Sequence, residues 1–148
     1  MAYNIEQIAA KLEIQDLCFR YAQIIDANEF DKLDEVFTQD AFIDYTAMGG
    51  SKGNLEETKK FLGETLPVLF PNSQHLNANM QIDLASETNI TEATGRIMCF
   101  NPMEMLIKGG PDTKITFCGL WYLDKYRLTE NGWRIYERVE EKSWFYNH

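Results

Sequence analysis

From Ile5 the apolar positions fall at helical spacing: Ile5, Ile8, Ala9 and Leu12, then Ile14, Leu17, Cys18, Tyr21 and Ile25. Asn4 with Gln7 makes a capping-box pattern just ahead of them, since each side chain can take up the other's unpaired backbone N–H. The spacing predicts one long helix with a broad apolar face, ending near Ala27. Residues 29–37, with Phe30, Leu33, Val36 and Phe37 as their apolar set, predict a short second helix. Beyond Asp40 the period drops to two, and 41–45 reads as a strand. Gly49–Gly53 reads as a turn. Asn54 with Glu57 is a second capping box, opening a third helix over roughly 55–65 that Pro67 ends.

Pro71 and Asn72 break the chain again, and from Gln74 onward the pattern is that of strands. His75–Leu84 is one, followed by the polar turn Ser86–Asn89. Thr91–Phe100 is the next, in which Gly95 marks a bulge or a close approach. A loop holding Pro102, Gly109, Gly110 and Pro111 leads to a long aromatic strand, Lys114–Leu128. Glu130–Gly132 is a hairpin turn and Trp133–Trp144 the last strand. No repeat, linker or low-complexity segment interrupts the 148 residues, so a single domain over 1–148 is predicted. Helices first and an antiparallel meander after them argue for the α+β class, a curved sheet folded over helices.

Composition narrows the possibilities. A net charge of −9 without a basic stripe argues against nucleic acid as a partner. No apolar run approaches a membrane span, and residues 1–20 lack the apolar centre of a signal peptide, so a cytoplasmic protein off the membrane is expected. Cys18, Cys99 and Cys118 are odd in number and widely spaced, as buried free thiols in a reducing compartment would be. Nine Phe, seven Tyr and three Trp are enough both to fill a core and to line a pocket for a ring-shaped ligand.

Candidate chemistry is sparse. Asp26 closes the first helix, and with Glu29 it also makes a D-x-x-E capping box for the second, which explains it without catalysis. His75 is the one histidine in the body of the chain, the other being His148 at its end. That scarcity argues against a multi-histidine metal site and leaves His75 as the side chain for acid–base work near neutral pH. Asn79, four residues on, shares a strand face with His75 if the alternation is unbroken. Tyr21 precedes Asp26 by five residues, which separates the two by roughly 140° around a helix, so core packing competes with a site role. Arg138 falls on the opposite face from Trp133 and Ile135 unless a bulge intervenes; the alternative is a surface arginine paired with Glu137 or Glu140. Trp121 and the Met98, Met103 and Met105 group read as core or pocket wall.

Four segments, 14–26 (IQDLCFRYAQIID), 30–45 (FDKLDEVFTQDAFIDY), 73–82 (SQHLNANMQI) and 122–138 (YLDKYRLTENGWRIYER), occur in order and at family spacing. Together they resemble the SnoaL-like branch of the nuclear transport factor 2-like superfamily. The resemblance implies a cone-shaped α+β barrel, with three N-terminal helices packed on a strongly curved, mostly antiparallel sheet. Relatives include scytalone dehydratase, bile acid 7α-dehydratase, hexachlorocyclohexane dehydrochlorinase and ketosteroid isomerase. It further implies a catalytic dyad of Asp26 and His75, with Tyr21 and Arg138 as further catalytic groups and Tyr45 and Asn79 as substrate-binding ones. No metal and no organic cofactor is expected. The implied activity is that of a lyase, most concretely a dehydratase of a small hydrophobic cyclic molecule. An isomerase or cyclase using the same dyad is the alternative, as is a non-catalytic assembly or ligand-binding module resembling a ring-hydroxylating dioxygenase small subunit. A homodimer or homotrimer is expected as well. Two departures stand out. Gly119 and Tyr122 are one residue further apart than in the family's G-x-Y-x-D pattern, which leaves facing on that strand open. The lysine that the dehydrochlorinase carries one turn before its aspartate is missing from RYAQIID, which argues against dehalogenation.

Overall fold

The computed structural model describes residues 2–146, so His148 lies outside the described residues. Helix α1 spans Ile5–Asp26 and opens on the expected reciprocal cap: Asn4 Oδ1 accepts from the Gln7 N–H, and Gln7 Oε1 accepts from the Asn4 N–H. It ends because Asn28 adopts a left-handed φ of 56°. The N–H groups of Asn28 and Glu29 then turn back onto the carbonyls of Ile25 and Ile24, a Schellman closure. The next element is a 3₁₀ turn over Phe30–Glu35, too short for a regular helix, which lays Phe30 and Leu33 into the core.

Seven strands make one mixed sheet: β1 Phe37–Asp44, β2 Lys52–Gly53, β3 Asn72–Ser73, β4 Leu76–Leu84, β5 Glu92–Leu106, β6 Thr113–Thr129 and β7 Gly132–Tyr146. Their order is β2-β1-β7-β6-β5-β3, with β4 also on β5; every pairing is antiparallel except β1 with β7. The sheet curls strongly into a cone-like half-barrel, the expected α+β architecture. Ile14, Cys18, Ile24 and Ile25 of α1 share its buried core with Ile97, Tyr122, Tyr126 and Ile135 of the sheet. Helix α2, Leu55–Leu69, contributes Leu55 and Leu62 to the same core.

Two prolines behave differently from expectation. Pro67 does not stop α2, which runs on to Leu69. A proline this near the C-terminus removes only one ladder bond, and the Phe70 N–H closes the last turn on the Leu66 carbonyl at 2.8 Å. Pro102 lies inside β5, not in a loop, and pairs with Phe117 of β6. Its carbonyl accepts from the Gln74 N–H at 3.0 Å, and the N–H it lacks would point to that same side. On that side the edge is interrupted: β3 ends at Ser73 and β4 begins at Leu76. The missing donor therefore has no ladder to disrupt. His75, expected as the first strand residue, sits in this gap.

Facing on β6 is regular, with Thr116, Cys118, Leu120, Tyr122, Asp124 and Tyr126 all buried on the concave side. The irregularities lie in β7. One register shift falls where Lys125 pairs with Glu137 but Tyr126 with Ile135; another where Gly119 pairs with Trp144 but Leu120 with Lys142. Gly119 is required there, since a Cβ would stand 2.5 Å from the Trp144 ring. The first bulge places one extra residue between Ile135 and Glu137. It reverses the alternation, so Arg138 points inward with Trp133 and Ile135.

Arg138 consequently has no surface partner. Its Nε and Nη2 donate to the two carboxylate oxygens of Asp124, both at 2.7 Å, with each side chain wholly buried. The guanidinium carbon lies 4.2 Å from the Tyr21 ring centroid and 4.0 Å from that of Tyr122. Tyr126 donates to Asp124 Oδ2 at 2.7 Å and completes the satisfaction of that carboxylate. Removing one member of such a pair strands the other charge in the core. Arg138→Met is expected to lower unfolding free energy by ~3–5 kcal/mol, whereas Arg138→Met with Asp124→Leu loses far less, as denaturant titration will read. Equal losses for the single and double variants would disprove the account.

Candidate active site

Asp26 and His75 meet although forty-nine positions separate them. The final turn of α1 presents the Asp26 carboxylate to the edge gap. Its Oδ2 accepts from the His75 backbone N–H at 3.0 Å, and its Oδ1 lies 2.7 Å from His75 Nδ1. A carboxylate only accepts, so Nδ1 carries the hydrogen and Nε2 is left with its lone pair. This corrects the capping reading of Asp26: the 3₁₀ turn begins after Glu29 and has no side-chain cap. Neighbours hold the histidine segment in place. Asn101 Nδ2 donates to the Gln74 carbonyl at 2.8 Å, and Asn77 Nδ2 donates to the Cys18 carbonyl of α1 at 3.0 Å.

The histidine ring lines a cavity of about 250 Å³ between the helices and the concave sheet. Helix α2 supplies a mostly apolar wall through Phe61, Leu62, Leu66 and Leu69, and the sheet supplies Met103, Leu120 and Phe145. Polar groups are fewer: Tyr21, Tyr45, Thr65, His75, Asn101, Tyr122 and Glu140. Asp26 stands behind His75, outside the cavity lining. The Tyr21 ring meets the His75 ring edge-on, with centroids 6.4 Å apart. The Tyr21 and Tyr45 hydroxyls are hydrogen-bonded at 2.7 Å. Tyr45 is seated by the Gly49–Gly50 turn, whose Gly50 N–H donates to the Tyr45 carbonyl at 2.8 Å. A Cβ at Gly50 would come within 2.6 Å of Tyr45 Cβ, so the turn closes only with glycine there.

Two residues singled out in the sequence lie elsewhere. Arg138 is one layer behind the cavity, covered by Tyr21 and Tyr122, and reaches it only through those rings. Asn79 is exposed with a left-handed φ of 44°, and its Nδ2 approaches Met98 Sδ at 3.6 Å. A register shift between Ala78 and Gln81 breaks the alternation that would have aligned it with His75. Asp124, Asn101 and Glu140 are the functional neighbours that sequence reasoning missed. Asp124 occupies the aspartate of the G-x-Y-x-D pattern and was within reach. Glu140 follows Arg138 by two residues, so it faces inward only once the bulge is known.

Burial dominates the electrostatics. It pushes the Tyr21 phenol up to about 12 and Tyr45 and Tyr122 well above their usual range, so all three are neutral donors. Burial likewise raises Cys18 and Cys118 to about 11 and Cys99 to about 12, which keeps the thiols inert. Burial works against the charge of Arg138, but Asp124 beside it outweighs burial and the guanidinium stays protonated. Glu140 is raised to about 8, chiefly by burial, against an opposing pull from Arg138 and with a smaller push from Asp44. Among the described residues, no group of three or more His, Cys, Asp or Glu side chains is gathered as metal ligands would be. No helix among them is long and apolar enough to cross a membrane.

The cone-like half-barrel is the nuclear transport factor 2-like fold. Residues 6–139 match the model of the SnoaL-like domain, and the chain belongs to that family. An uncharacterised protein of Mycobacterium tuberculosis is 41% identical over 139 residues, covering 94% of this chain and 89% of the relative. Solved structures with the same fold include a provisional scytalone dehydratase from Novosphingobium aromaticivorans, at TM-score 0.80 and 20% identity over 96% of this chain and 89% of that one. Another is the type 3 hexachlorocyclohexane dehydrochlorinase of Novosphingobium barchaimii, at TM-score 0.79 and 15% identity over 96% and 92% of the two chains.

A raised carboxyl also leaves a mark on stability. Glu140 ionises near pH 4.5 when unfolded and near pH 8 when folded, so its proton favours the folded state across that window. The stabilisation is complete below pH 4.5 and is lost as pH rises through 8. Glu140→Gln is therefore expected to be nearly neutral at pH 4.5 and to gain stability relative to wild type up to about pH 8. The full gain is on the order of 4–5 kcal/mol, read by melting across pH, and a pH-independent difference would contradict it.

Proposed function

We propose that the protein is a cofactor-independent lyase, a dehydratase acting on a hydrophobic cyclic β-hydroxy carbonyl compound. The observation that carries this reading is the Asp26–His75 pair, with its ring at the wall of an apolar cavity. His75 Nε2 takes the proton from the carbon α to the carbonyl, and Asp26 stabilises the imidazolium through Nδ1. Electrons from the C–H bond form the new double bond as the β-carbon–oxygen bond breaks. The departing hydroxyl takes that proton back from the His75 imidazolium and leaves as water, which returns the ring to its neutral form. Tyr21 and Tyr45, neutral and hydrogen-bonded to each other, support the oxygen on which negative charge develops. Arg138 acts through the Tyr21 ring as a positioning and electrostatic residue, since its Nε and Nη2 are held by Asp124 and the Tyr21 and Tyr122 rings lie against its guanidinium.

The names of the structural neighbours support the reaction class: a scytalone dehydratase assignment and a dehydrochlorinase both describe eliminations. The phenol pair equally suits an isomerase, in which the proton taken by His75 returns to another carbon. The two readings separate by product mass, which falls by one water only for the dehydratase. With a panel of bicyclic β-hydroxy ketones, turnover is expected to appear as conjugated-enone absorbance. Asp26→Asn and His75→Ala are each expected to lower kcat by about 10²–10⁴ with folding intact. Full activity in both variants on a confirmed substrate would refute the dyad.

A further inference from the structure

We infer that Glu140 is a hydrogen-bond donor to the ligand, so that this pocket selects a ring-shaped molecule carrying a carbonyl oxygen over the matching hydrocarbon. The inference extends the preceding reading to the chemistry of the ligand and rests on the cavity being the substrate site. Glu140 lies opposite Tyr122 in the β6–β7 ladder and lines the cavity. Its Oε2 is buried and has no hydrogen-bond partner in the protein. Buried polar atoms are nearly always satisfied, and leaving one unmade is costly, so an orphan at a cavity wall points to a partner on the ligand.

The surroundings decide which partner. The nearest cation, Arg138, is two residues along the same strand face; its Nε and Nη2 are spent on Asp124, and its Nη1, itself without a partner, makes no hydrogen bond or ion pair with Glu140. Asp44 on β1, itself bonded to Thr46 and paired with Lys52, pushes Glu140 toward its neutral form. The phenols of Tyr21, Tyr45 and Tyr122 and the thiols of Cys99 and Cys118 stay protonated around it. His75 is the remaining titratable group on the cavity, and α2 presents no charged side chain to it. A carboxyl held neutral carries a hydrogen that seeks an acceptor. The Tyr21–Tyr45 pair offers a second, because whichever hydroxyl donates to the other, the accepting one keeps its own hydrogen. Two donors and an apolar wall describe a site for a ketone or enolate oxygen on a ring.

Binding of 2-tetralone and of tetralin to the intact protein, followed by ligand-observed NMR between pH 6 and pH 9.5, tests this. Wild type is expected to prefer the ketone by about tenfold at pH 6 and to lose most of that preference as pH rises past 8. Glu140→Gln, whose amide still donates, keeps the preference at every pH; Glu140→Leu has lost most of it at every pH while melting cooperatively. A preference unchanged in Glu140→Leu, the same pH dependence in Glu140→Gln, or no binding of the ketone to wild type overturns the inference. His75→Ala separates the two readings. Ketone preference without turnover of the hydroxy-ketone panel by wild type defeats the dehydratase reading alone, and turnover without preference defeats this one alone.

Discussion

The buried pair of Arg138 and Asp124 is the interaction on which the rest of the arrangement depends. A guanidinium with no exposure is tolerable only when its charge is met, and the two-point contact with Asp124 meets it while leaving Nη1 without a hydrogen-bond partner. The pair exists because one extra residue in β7 turns Arg138 from the outer to the inner face. Once inside, its flat charge is covered by Tyr21 and Tyr122, which in turn become cavity wall. Three elements, α1, β6 and β7, are tied by a single side chain.

The Asp26–His75 pair is built on the opposite principle. It is a contact at the margin, made where α1 ends and the sheet edge is broken. Pro102 cannot supply a ladder donor on the side of Gln74, so β3 and β4 do not join, and the residue in the break is free to turn its backbone and ring to Asp26. Along an edge strand every second N–H points away from the sheet, and it is Gln74, next to His75, whose N–H bonds to β5. Here both the N–H and Nδ1 go to one carboxylate, which orients the ring more firmly than one bond alone.

Between these two constructions lies a cavity whose polar groups are mostly donors. Neutral phenols and a carboxyl raised by burial replace the charges that a water-filled cleft would carry. In a low-dielectric space hydrogen-bond donors of this kind interact strongly with negative charge.

Much of this was legible in the residues. Both helix caps, the long helix, the switch to strands, the final hairpin turn and the α+β class follow from periodicity and from local hydrogen-bonding chemistry, which act over a few positions. Asp26 and His75 stood out through scarcity and resemblance, and Tyr21 and Tyr45 through resemblance. What could not be read was which way strand residues face once a bulge intervenes. Each bulge reverses the alternation of everything beyond it, so Arg138 turned inward, Glu140 joined the cavity, and Asn79 left it. The two prolines were misjudged for a related reason: their effect depends on whether a partner waits on the side where the N–H is missing. Local sequence determined the elements and singled out His75. Only long-range register, set by packing across the sheet, decided which side chains surround it.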